Sequence, residues 1–137
     1  MIPLLLIDTM EILNLLTNPD YKDLKAAIDN HHVKAEISAV SFTEIYKVIG
    51  KISEREARRI IREIIASDLS FRVVDYRVGV KAGEIRLHYN IPTIDALIAA
   101  TGIMSNATHI LTTDAHFQTI KKIIKPVTMK EIKKMIK

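Results

Sequence analysis

The sequence predicts a three-layer α/β/α sandwich around a central parallel sheet of about five strands. Three observations carry that expectation. Short apolar runs alternate with longer segments of helical period along the whole chain, the pattern of strand, crossover helix and next strand. The first run, residues 2–7, is apolar without interruption, as a strand covered on both faces must be. At 137 residues and 48% apolar content, the chain has the length of one domain and enough apolar material to fill its core, so residues 1–137 are read as a single domain.

The elements follow in order. The strand over residues 2–7 ends in Asp8-Thr9, and a helix carrying Ile12, Leu13, Leu15 and Leu16 comes next. Asn18-Pro19 supplies an N-cap and a first helical residue for a second helix through Leu24 and Ile28 toward Asn30. A strand is expected over residues 35–40. Ser41-Phe-Thr-Glu44 has the Ser-x-x-Glu spacing of a capping box, and its helix, with Ile45, Val48 and Ile49, runs to Gly50. Ser53-Glu-Arg-Glu56 repeats the signal. The helix it opens sets a core stripe of Ile60, Ile61, Ile64 and Ile65 against a basic face of Arg55, Arg58, Arg59 and Arg62. Residues 71–74 form a short strand candidate, 78–89 are helical in period, and a further helix begins at Thr93 with Ala96, Leu97, Ala99 and Ala100. Residues 109–111 are the next strand, Asp114 opens a helix through Ile120, residues 126–128 allow a last strand, and 129–137 form a terminal amphipathic helix.

Composition excludes several classes. Cysteine is absent, so there is no disulfide scaffold, zinc ribbon or thiol nucleophile, and a reducing cytoplasm fits best. The run over residues 2–7 is too short to span a membrane, has no basic region before it and meets Asp8 at once, so no membrane or targeting segment is expected. A net charge of +4 favours an acidic partner such as nucleic acid.

In a parallel α/β sheet, ligands bind beyond the carboxyl ends of the strands, where strand order reverses. Asp8 and Asp114 sit at two such ends. Glu44 lies one turn into the helix after the second strand, and Asp95 is early in its own helix, so four acids from four segments can reach one point. Taken singly, each has a commoner structural role: Asp114 as a cap, Asp95 as a complement to a helix dipole, Glu44 as an arm of a capping box. Asp8 is harder to dismiss, because a carboxylate directly after a buried strand is costly unless paired or bound. Clustered carboxylates without a base repel one another, which makes most sense around a hard divalent cation, and an oxygen-only donor set favours Mg2+ or Mn2+ over zinc. Such a cation can activate water for attack on a phosphodiester without a nucleophilic side chain.

Asp8-Thr9 after an apolar strand, Ser38-Ala-Val-Ser-Phe-Thr-Glu44, Ile91-Pro-Thr-Ile-Asp95-Ala-Leu-Ile-Ala-Ala and Leu111-Thr112-Thr113-Asp114-Ala-His-Phe117 resemble the four acidic motifs of PIN-domain nucleases, in particular the small VapC-type toxins. The resemblance covers nearly the whole chain. Its Asp95-Ala-Leu-Ile-Ala-Ala and Thr112-x-Asp114-x-x-Phe117 blocks are the specific ones in this order and spacing. It implies a PIN-like fold and an endoribonuclease whose metal ligands are Asp8, Glu44, Asp95 and Asp114, holding Mg2+ or Mn2+. Thr112 would be the hydroxyl that helps the site. It further implies a homodimer and an inhibitory antitoxin.

Weaker signals have plainer readings. Thr9 reads as an N-cap, His116 as a solvent-facing histidine in a first turn, and His31 and His32 form no ligand-spaced cluster. The basic helix face, with Lys121, Lys122, Lys125, Lys130, Lys133 and Lys134, could steer RNA, but a solvated charged face is the ordinary reading. Two rivals remain in view. A receiver-type phosphoryl-accepting module would use Asp75 after a strand, a switch hydroxyl at Thr112 or Thr113, and Lys125-Pro126, but it would leave Glu44 and Asp95 idle. A non-catalytic RNA-binding domain would gain nothing from clustered negative charge near phosphates.

Overall fold

The computed structural model describes residues 4–136. Ile2 and Pro3 of the expected first strand and Lys137 of the expected last helix lie outside the described residues. Among the described residues, five strands form one sheet: β1 (Leu5–Ile7), β2 (Ala35–Ser38), β3 (Ser70–Arg72), β4 (His109–Leu111) and β5 (Lys125–Val127). Their order across the sheet is β3-β2-β1-β4-β5, and every neighbouring pair is parallel. Seven α-helices connect and cover them: α1 (Thr9–Thr17), α2 (Lys22–Asp29), α3 (Val40–Gly50), α4 (Glu54–Ala66), α5 (Tyr76–His88), α6 (Thr93–Met104) and α7 (Met129–Met135). Pro19–Tyr21 and Ala115–Ile120 are 3-10 turns.

The pleat of β1 shows how the two outer layers are held. Leu5 and Ile7 face one way, into a core built from α1, α2, α3, α4 and α7 with Ile12, Leu24, Ile45, Ile64 and Ile132. Leu6 faces the other way, into a core built from α5, α6 and the second 3-10 turn with Val78, Ile85, Ala99, Phe117 and Ile120. All three β1 residues are fully enclosed, as the uninterrupted apolar run requires of a strand at the centre of a parallel sheet. The α6 layer comes close because Gly102 has no side chain: a Cβ there would lie 2.6 Å from Leu6 Cδ2.

Several local expectations need correction. The second strand ends at Ser38 rather than at residue 40, because helix α3 already begins at Val40, and the helix expected from Asp114 through Ile120 is a 3-10 turn. The edge strand β3 covers Ser70–Arg72 rather than residues 71–74, because its partner β2 ends at Ser38, opposite Arg72, and leaves Val73 and Val74 without a ladder. The capping box at Ser41 does not form. Helix α3 starts two residues earlier, at Val40 with Ala39 as its N-cap, so Ser41 is already inside the first turn and its buried hydroxyl turns toward Thr9 instead. On α4, Ile60 and Ile64 are buried but Ile65 is exposed, so the apolar stripe is narrower than its spacing suggested. Two of the four arginines on the basic face of α4 pair within their own helix, Arg58 with Glu54 and Arg59 with both Glu56 and Glu63. One buried acid had no sequence signal at all: Glu36 of β2 is fully enclosed and is held by Arg72 Nε at 3.0 Å and by the Ser105 hydroxyl.

Candidate metal centre

Strand order reverses between β1 and β4, and the carboxyl ends of those two strands carry Asp8 and, three residues past Leu111, Asp114. This is the crevice where an open parallel sheet binds its ligands. The Asp8 N–H donates to the Leu111 carbonyl at 3.0 Å, tying the two strand ends together beneath the site. Asp8 is also the N-cap of α1. Its Oδ1 accepts from the Thr9 N–H at 2.9 Å, and its Oδ2 accepts from Thr112 Oγ1 at 2.7 Å. Thr112 in turn accepts from the Asp114 N–H at 3.0 Å, so one buried hydroxyl sets the positions of both acids.

Glu44 reaches the same place from α3. With Ser41 turned inward rather than capping, the Thr9 hydroxyl lies 2.9 Å from Ser41 Oγ and donates to Glu44 Oε1 at 2.5 Å. Thr9 is thus the first helical residue rather than the cap, which is Asp8, and its side chain holds Glu44. Asp95 lies in the first turn of α6, behind Pro92, with a side chain only 14% exposed. Asp114 caps the 3-10 turn that follows β4, its Oδ1 accepting from the His116 N–H at 2.9 Å. Asp8, Glu44, Asp95 and Asp114 all line one cavity of about 140 Å3, with Thr9, Met10, Glu11, Val48 and Thr113 completing its wall.

The electrostatics follow from that convergence. Burial pushes the Asp95 carboxyl up to about 6; the charges of Asp114, Asp8 and Glu44 add to the rise and the nearby His116 opposes it. Asp8 is also raised, chiefly by burial, although the Thr112 and Thr9 hydrogen bonds favour its ionised form. Among the described residues, the only basic side chain in ion-pair reach of the four acids is His116, whose Nδ1 lies 3.1 Å from Asp95 Oδ2 and 2.9 Å from Asp114 Oδ1. An acidic donor set with almost no protein counter-charge suits a hard divalent cation bound by oxygen.

Sequence reasoning undervalued two side chains here. His116 is half exposed, yet its ring is turned onto two of the acids rather than free in solvent. The signal available was its place two residues after a capping Asp. Glu11 is almost fully buried at the cavity wall, held by the Tyr21 hydroxyl and by Asn14 Nδ2 at 3.1 Å, and no motif marks it. The receiver-type residues are not gathered. Asp75 caps α5 at the end of the edge strand, accepting from the Val78 N–H at 3.1 Å and pairing with Arg77 at 3.0 Å. Lys125 begins β5, at the amino end of the sheet and opposite His109, whereas the acids gather at the carboxyl ends of β1 and β4. A receiver sheet has order 2-1-3-4-5 with its third strand inside, whereas here the third strand is at the rim.

Comparison with known proteins agrees with this geometry. The structure is similar to that of VapBC2 from Rickettsia felis bound to a promoter DNA fragment, at 21% identity over 91% of this chain and 98% of that one, with a TM-score of 0.73. It is similar to DNA-bound VapBC from Salmonella typhimurium at 18% identity over 94% and 99%, TM-score 0.74. The FitAcB structure from Neisseria gonorrhoeae matches at 16% identity over 92% and 98%, TM-score 0.68. At these identities the likeness is one of fold. No curated protein sequence matches the chain. A sequence model of the PIN domain matches residues 5–123, a span that contains all four acids and the whole sheet except β5, and the chain belongs to the PIN domain family.

Proposed function

We propose that this protein is a Mg2+- or Mn2+-dependent endoribonuclease that hydrolyses RNA phosphodiester bonds, acting in the cytoplasm as the toxin of a toxin–antitoxin pair. One observation carries the reading: four carboxylates from four separate segments line a single cavity at the switch point of the sheet, with one histidine as their only nearby base among the described residues. Asp8, Glu44, Asp95 and Asp114 would hold the cation, and Thr112 would keep Asp8 and Asp114 in register. When bound, the cation supplies an activated water and charge stabilisation at the phosphate oxygens. The chain's own part is to hold its acids ready. Thr112 and the Thr9 N–H fix the two oxygens of Asp8, Thr9 fixes Glu44, and burial keeps Asp95 out of bulk water. The substrate backbone is anionic, and the positive net charge favours its approach.

The similar structures are those of VapBC2, VapBC and FitAcB, which supports a partner antitoxin for this chain as well. A homodimer is supported by α5. Tyr76, Val80 and Leu87 share one helix face and are 79%, 61% and 79% exposed, while a Cβ at Gly79 or Gly83 would meet only open space. An apolar stripe with room for close approach is what a second copy can cover.

The test is cleavage of RNA by the purified chain with Mg2+ or Mn2+, and its loss with a chelator. Asp8→Asn and Asp95→Asn each abolish cleavage while the circular dichroism spectrum stays that of the folded protein. Either variant cleaving at the native rate would sink the assignment.

A further inference from the structure

We infer that His116 is a nitrogen ligand of the metal centre and biases this site toward Mn2+ over Mg2+. The inference rests on the metal-dependent reading above and goes beyond it, since an imidazole nitrogen adds a preference for the transition ion to whatever the carboxylates supply. Asp95, Asp114 and His116 each offer one donor atom, and these atoms lie within 4.8 Å of one another. The Nδ1 separations of 3.1 Å to Asp95 Oδ2 and 2.9 Å to Asp114 Oδ1 match adjacent ligands of an octahedral ion, whose edge is about 3 Å when each bond is about 2.1 Å.

The backbone sets this up. Asp114 caps the 3-10 turn with the oxygen that accepts the His116 N–H, so the ring leaves the chain one turn behind the carboxylate it touches. Phe117, fully buried in the α5–α6 core, anchors the next residue and keeps the turn from swinging out. The ring nitrogen Nδ1 faces both carboxylates at 3.1 Å and 2.9 Å, so the atom that would bind a cation already points at the acids that would share it. An imidazole nitrogen is a poor ligand for Mg2+, which demands hard oxygen donors, and a better one for a transition ion. Replacing it costs Mn2+ affinity and leaves Mg2+ affinity nearly as it was.

The experiment uses the full chain loaded with Mn2+. Pulsed electron paramagnetic resonance reports modulation from a coordinated imidazole nitrogen, and calorimetry gives Kd for Mn2+ and Mg2+ separately. The native chain is expected to show the nitrogen signal and a Mn2+ preference. His116→Gln loses the signal, and its Mn2+ over Mg2+ preference falls on the order of tenfold, the scale by which loss of a metal-site partner changes affinity. His116 is half exposed, so the variant folds, which a thermal melt verifies. Saturable Mn2+ binding with no nitrogen modulation, or an unchanged preference in His116→Gln, overturns the role of His116 and leaves the carboxylate site standing. Absence of saturable binding by either ion in the native chain overturns the metal-dependent reading itself, and this inference with it.

Discussion

Asp95 illustrates how a single residue can be costly in isolation and useful in place. In the unfolded chain it titrates at its ordinary 3.8, whereas burial and three neighbouring acids hold it at about 6 in the fold. Between those values the folded state binds the proton more readily, so the associated stability is fully present below 3.8 and is lost as pH rises through 6. Asp8, raised for the same leading reason, adds in the same direction. The metal-free protein is therefore expected to melt at a higher temperature at pH 5 than at pH 7.5. Asp95→Asn should shrink the gap and raise the pH 7.5 midpoint. Added Mn2+ should raise the native midpoint at pH 7.5 and raise that of Asp95→Asn much less. Differential scanning fluorimetry across the two pH values measures all of this, and a native midpoint that rises from pH 5 to 7.5 together with no effect of Asp95→Asn would reject the account. At this scale the sequence was legible for the acids, which their motifs marked. It was not legible for Thr9, Ser41 and His116, whose partners lie on other segments or depend on how a turn closes.

At the scale of elements, the site depends on how closely α6 lies on the sheet. Helix α6 carries Asp95 in its first turn and Gly102 two turns later, where a Cβ would fall 2.6 Å from Leu6 Cδ2 and 3.3 Å from Ile124 Cδ1. Leu6 is fully enclosed, so it cannot simply turn aside into solvent. Gly102→Ala gains up to about 1 kcal/mol of helix propensity but incurs overpacking of about 1–3 kcal/mol, a net loss of about 1 kcal/mol. The expected result is a thermal midpoint lower by about 3–5 °C for a domain of this length. A midpoint equal to or above the native one would mean that α6 and β1 are not in close contact at Gly102. Helix ends tell a related story. Ser53, Asp75 and Thr128 cap α4, α5 and α7 by local bonds that spacing can anticipate, but Ser41 is drawn away from capping by a buried partner 32 positions earlier.

Across the whole molecule, the exposed α5 stripe shares no residue with the lining of the acidic cavity, so the proposed association and the proposed metal binding can be tested separately. Val80→Arg places a charge in the centre of the stripe without touching either core. It is expected to convert a dimer at micromolar concentration into a monomer by sedimentation equilibrium, with the thermal midpoint of the fold little changed. A native chain that sediments as a monomer under those conditions, or a Val80→Arg variant that remains dimeric, removes α5 as the interface.

The sequence by itself determined the layered parallel fold, and its motifs marked the four acids that the fold brings to one cavity. These follow from short-range information: the period of apolar residues, turn and cap residues, and carboxylates placed at strand ends. Tertiary structure alone decided that β3 lies at the rim, which removed Asp75 from the site, that Lys125 sits at the amino end of β5, and that Glu36 is buried against Arg72. It alone decided that Thr9 serves Glu44 and that His116 turns onto Asp95 and Asp114. The physical reason is common to all of these. Strand order and the pairing of polar groups depend on contacts between segments far apart in the chain, and no periodicity within one segment records which neighbour will satisfy a hydroxyl, an imidazole or a buried charge.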